Sequence, residues 1–179
     1  VATLIASALA LVALMAPTVA SAEPFPMTDV DGGQIEPGTL LTAKSTNPSF
    51  RTDFGLQECN TAEVSGVVIF NEGGVAEAEG PGEMQECFLG AMPTPFTGVE
   101  MTNLRLESGV SGTMDFAADW HLWGSLVCHY EGKLDVFYTP GGSSLRVGGL
   151  MNPTPEGCGQ VYFEAVFSLE YAGGPIIVS

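Results

Sequence analysis

The sequence predicts an all-β fold: a single antiparallel β-sandwich, with a β-barrel as the alternative, stapled by two disulfides. Three observations carry that expectation. From Thr39 onward short apolar or alternating runs recur between turn signals, no equally long helical period interrupts them, and four cysteines bracket the two clearest hairpins. The strongest run is VYFEAVFSLEY, where Val161, Phe163, Ala165, Phe167, Leu169 and Tyr171 share one face and Glu164, Ser168 and Glu170 lie on the other.

The chain opens on VATLIASALALVALMAPTVASA, small and apolar and ending in Ala20-Ser21-Ala22, the pattern that precedes signal-peptide cleavage. Pro17 interrupts the run short of the ~20 apolar residues a membrane span needs. Residues 1–22 therefore read as a signal peptide, Glu23 as the mature N-terminus, and the product as secreted, with no membrane association after cleavage. Glu23 to Gly38 is rich in Pro, Gly and Asp without a period and reads as a flexible acidic leader. Residues 39–179 read as one domain.

Lys and Arg number 5 against 21 Asp and Glu, a formal charge of -16. Such a field repels phosphate backbones, which are held by Lys and Arg, and anionic lipid surfaces, so nucleic acid and membrane drop out as partners. The remaining strand candidates, in order, are Thr39 to Ala43, Ser49 to Phe54, Glu63 to Phe70, Val75 to Glu79, Val99 to Glu107, Gly112 to Trp120, Leu126 to Glu131, Lys133 to Thr139 and Ser144 to Leu150. The run EAEGPGEMQE reads as a charged loop between them. Asn71-Glu72-Gly73-Gly74 and Pro140-Gly141-Gly142-Ser143 are hairpin turns, since glycine supplies the positive φ that tight connections require.

Each hairpin lies between two cysteines. A turn at residues 72 and 73 brings Cys59 close to registry with Cys87, and the looser second pair, Cys128 with Cys158, requires MNPTPEG to loop out. Bridges Cys59–Cys87 and Cys128–Cys158 are one of three possible pairings, and an exported chain permits them. Cys59, Cys87, the TNL of Thr102 to Leu104, the CHYEG that starts at Cys128, Cys158 and VYFEAVFSLEY together resemble a group of small exported four-cysteine all-β proteins of high-GC Gram-positive bacteria. The resemblance covers about residues 38 to 172. It implies the fold and the disulfides and brings no established activity with it.

WHLWGSLVCHYEG, Trp120 to Gly132, concentrates both tryptophans and both histidines. Alternation puts Met114, Phe116, Ala118, Trp120, Leu122, Leu126, Cys128 and Tyr130 on the core face. Asp119, His121 and Trp123 are successive outward residues, a candidate binding surface for a sugar or equally a solvated edge. A two-residue turn at Gly124-Ser125 would send His121 and His129 to opposite faces, so no metal site is expected from them, and no cofactor. Asp115 and Asp119 stand about 13 Å apart along a strand, too far for a glycosidase pair. No G-x-S-x-G elbow occurs. Asp29, Asp31 and Glu36 suggest a calcium loop but depart from its order, with Gly33, Gln34 and Leu40 at positions where ligands or the turn glycine belong.

The expected product is a non-catalytic secreted binding or structural module whose partner is an envelope component, glycan or protein. The alternatives are a small-ligand carrier with a hollow barrel, predicting a lumen of several hundred Å³, and a secreted hydrolase.

Overall fold

The computed structural model describes residues 25–107, 109, 111–122, 126–154 and 158–179; the expected signal peptide lies outside them. The strands in chain order are β1 Met27–Thr28, β2 Leu40–Thr46, β3 Ser49–Thr52, β4 Gly55–Glu72, β5 Val75–Leu89, β6 Met92–Pro93, β7 Phe96–Glu107, β8 Ser111–Leu122, β9 Leu126–Tyr138, β10 Ser144–Thr154, β11 Val161–Tyr171, β12 Gly174–Pro175 and β13 Ile177–Val178.

β2 and β3 act as one strand bent at Asn47, whose φ is 61°, and pair with β4 on one side and β11 on the other. From β4 each long strand pairs antiparallel with the next long strand, through β5, β7, β8, β9 and β10 to β11. The circuit closes as an eight-stranded up-and-down barrel. Of the two architectures expected from the sequence, the barrel is the one formed. Closure pairs the first and last wall strands with each other, which removes the edges a sandwich leaves exposed.

Several strands run longer than their sequence pattern suggests. EAEGPGEMQE, expected as a loop, is wall: β5 continues through Gly80, Pro81 and Gly82 with a register shift between Ala78 and Gly80. Pro81 is tolerated there because a bulge already interrupts the ladder. Leu126 to Glu131 and Lys133 to Thr139, expected as two strands, are the single β9. Gly132 is a point of close approach and no turn, since a Cβ there would meet Leu150 O at 2.9 Å.

An eight-stranded barrel has an interior just wide enough for side chains to fill. Toward one pole the filling is aromatic: Phe50 stacks on Phe96 with centroids 4.6 Å apart, Phe163 lies 4.9 Å from Phe50, and Trp120 lies 5.9 Å from Tyr130. Toward the other pole it is aliphatic, and the space left among Leu41, Val64, Met101, Met114, Phe167 and Leu169 is about 30 Å³. Room for roughly one or two water-sized molecules remains. The outer face carries charge on every long strand, including Glu63, Glu83, Glu100, Asp119, Asp135, Arg146 and Glu164. An apolar inside and a charged outside invert the pattern of a barrel that spans a bilayer.

The aliphatic pole is capped. The segment expected as a flexible leader over 23–38 departs from that reading from Phe25 onward, because Met27 is 0% and Ile35 3% exposed and β1 pairs with β13. Its anchor is the buried Asn71, whose Nδ2 donates to Met27 O at 2.6 Å and Ile35 O at 2.9 Å while its Oδ1 accepts from Met27 N at 3.1 Å. Met27 and Ile35, two of the four apolar side chains in that run besides its prolines, were the signal for this docking.

Both disulfides form as expected, Cys59 with Cys87 and Cys128 with Cys158. Cys59 and Cys87 are directly opposite in the β4–β5 ladder, and all four side chains face the interior.

Candidate functional site

β8 alternates as its sequence suggests. Met114, Phe116, Ala118, Trp120 and Leu122 are buried, and Asp115, Asp119 and His121 lie on the outer face. On β9, Cys128 and Tyr130 are buried too, whereas Leu126, expected inside, is 41% exposed at the strand end.

The β8–β9 register pairs Leu122 with Leu126, His121 with Val127 and Asp119 with His129. This register does not put the imidazoles on opposite faces, as the two-residue turn considered at Gly124-Ser125 would, and those two residues themselves lie outside the described ones. Residues opposite one another in a ladder point to the same side, so His121 and His129 share the outer face as diagonal neighbours. The sequence held this signal. Trp120, Cys128 and Tyr130 all belong inside, and only an even-to-even pairing of the two strands keeps them there.

Asp119 and His129 meet across the ladder, Oδ1 to Nδ1 at 2.8 Å, with side chains 42% and 45% exposed. Beside them, Thr97 Oγ1 and His121 Nε2 are 2.8 Å apart. Thr97 reaches His121 from β7 because that strand bulges between Thr97 and Glu100, with Gly98 at φ 58°. No sequence reading singled out Thr97, which is 24 positions from His121. The outer surface thus carries a row, Thr97, Asp119, His129 and Thr154, on four adjacent strands, with His121 next to it. Trp123, the third member of the expected surface, lies outside the described residues.

Chemically this is a hydrogen-bonding surface. Asp119 fixes one nitrogen of His129 and Thr97 one nitrogen of His121, and among the described residues neither imidazole's second nitrogen has a partner. Among the described residues no three His, Cys, Asp or Glu side chains group so as to hold a metal ion. The acidic turn considered for calcium spends Asp29 Oδ1 on the backbone N–H groups of Asp31 and Gly33, at 2.9 and 2.7 Å.

Directly inside this surface, Tyr130 donates its phenol proton to Cys158 O at 3.0 Å. Burial, and after it the nearby Asp53 carboxylate, push the Tyr130 phenol up to about 12. Gln57 is likewise buried and donates to Thr94 O and Oγ1 at 3.0 and 2.7 Å, tying the segment before β7 across the aromatic pole.

No family model, curated protein or solved structure matches this chain. The fold and the surface define a disulfide-stabilised β-barrel with its polar cluster outside and its lumen filled.

Proposed function

We propose that the protein is a secreted, non-catalytic binding module that recognises an envelope glycan or protein through its outer face. The single observation that carries this reading is the filled interior. About 30 Å³ of free space among Leu41, Met101 and Phe167 contrasts with the roughly 300 Å³ or more of a small-molecule carrier. Recognition is then left to the surface, where Thr97, Asp119, His121 and His129 supply directional groups on three adjacent strands. Their exposure on a barrel wall, with no enclosing cleft around them among the described residues, argues for binding over hydrolysis. Export is supported by the leading apolar segment and by two disulfides, which persist in oxidising compartments.

A glycan array and a pull-down from cell envelopes, each run with the wild type and with D119A/H121A/H129A, test the reading. Loss of the captured ligand in the triple variant is expected. Undiminished capture would remove this surface as the site, and silence of the wild type in both assays would remove the function.

A further inference from the structure

We propose a second binding site, a groove on the outer face of β9, β10 and β11 that takes a neutral saccharide. It is separate from the Asp119 surface: Asp135, on its rim, lies six residues along β9 from His129, about 20 Å at the strand rise.

The floor is Gly148, paired with Asp135 on one side and Glu164 on the other. Two positions toward one end, Arg146 pairs with Phe137, and two positions toward the other, Leu150 pairs with Tyr162. The two rings therefore stand at opposite corners of a patch centred on a residue without a side chain. Tyr162 leans over that centre, its hydroxyl 3.2 Å from where a Cβ of Gly148 would sit. Phe137 is 51% and Tyr162 42% exposed. The depression measures about 340 Å³, within the range of small-ligand sites.

Its lining selects the ligand class. Arg146 Nη2 donates to Glu164 Oε1 at 2.6 Å, and Asp135 has no partner among the described residues, so the rim offers carboxylate acceptors and guanidinium donors together. An anion would meet both carboxylates and the overall charge of -16. A cation, which that charge attracts, meets the Arg146 guanidinium beside Glu164, and an apolar molecule would strand three charged groups without water. A neutral polyol satisfies all of them: hydroxyls exchange hydrogen bonds with Asp135, Glu164 and Arg146 while the ring C–H faces lie on Phe137 and Tyr162.

The test is calorimetric titration of the full chain with neutral oligosaccharides (cellobiose, maltotriose, mannobiose, xylobiose) at low and at high sodium chloride. Binding of at least one sugar, insensitive to salt, is expected, with at least a tenfold loss in F137A and in Y162A and no binding by G148V, whose side chain occupies the floor. I69A, on an exposed stretch of β4, serves as the unaffected control. Circular dichroism checks folding, and if Y162A does not fold, F137A decides alone. The proposal is overturned if no sugar binds at millimolar concentration, if binding vanishes at high salt, or if F137A binds as wild type. Loss of the sugar in D119A/H121A/H129A with F137A intact also overturns the groove, while leaving outer-face recognition in place.

Discussion

His129 Nδ1 lies 2.8 Å from Asp119 Oδ1, its direct partner across the β8–β9 ladder. Both side chains are more than two-fifths exposed, so the pair contributes less than ~1 kcal/mol to stability. D119A and H129A should each melt within a few degrees of wild type, while long-range proton–nitrogen NMR of D119A shows the His129 tautomer no longer fixed at Nδ1. A loss above ~2 kcal/mol in either variant would mean that the pair holds the hairpin and is no mere surface feature.

The bridges between Cys59 and Cys87 and between Cys128 and Cys158 close loops with sequence separations of 28 and 30. By loop entropy each restricts the unfolded chain by roughly 3.5 kcal/mol. C59A/C87A and C128A/C158A should each lower the unfolding free energy from guanidinium titration by about that amount, and peptide mapping without reductant should recover these two pairs alone. A crossed pair in the map would contradict the register of β4 with β5.

Tyr130 governs the alkaline limb. Its phenol holds its proton to about 12 when folded, against ~10 in an unfolded chain. An acid that keeps its proton more tightly in the folded state stabilises fully below the unfolded value, and that contribution disappears as pH rises through the folded one. Stability should therefore fall by roughly 2–3 kcal/mol between about pH 10 and pH 12. Y130F should be less stable at neutral pH by about 1 kcal/mol, the hydrogen bond to Cys158 being gone, and should lose less on going alkaline. Burial raises Tyr138 as well, so some of the limb persists. Identical pH slopes for wild type and Y130F would refute the assignment.

Asn71 holds the cap on the aliphatic pole. Its side chain serves the N–H and C=O of Met27 and the C=O of Ile35, and buried backbone groups without partners cost about 1–3 kcal/mol each. N71A should lose about 3 kcal/mol, and amide exchange at Met27 and Val178 should speed up before that of β8 or β9. Uniform loss of protection would show that cap and barrel open together.

Alternation was the legible part of the sequence. VYFEAVFSLEY and the core face of β8 could be assigned because each apolar residue falls on a period of two, and the Gly73 turn set Cys59 against Cys87. Glycine and proline misled where they serve the wall. Gly132 and the Gly80-Pro81-Gly82 stretch look like punctuation, yet they lie within β9 and β5, where neighbouring backbone comes close or the ladder bulges. Closure itself could not be read, since pairing of β11 with β2 and β3 joins segments more than a hundred positions apart and leaves no local mark. The geometry of the candidate surface was half visible. Asp119 and His121 follow from alternation, His129 from the parity of the hairpin, whereas Thr97 depends on a bulge that only the three-dimensional arrangement reveals.

The pairing of Met27 with Val178 sets both ends of the folded body side by side, at the pole away from Asp119. A surface or partner that took hold of the molecule at that pole would leave its histidine-bearing rim facing outward.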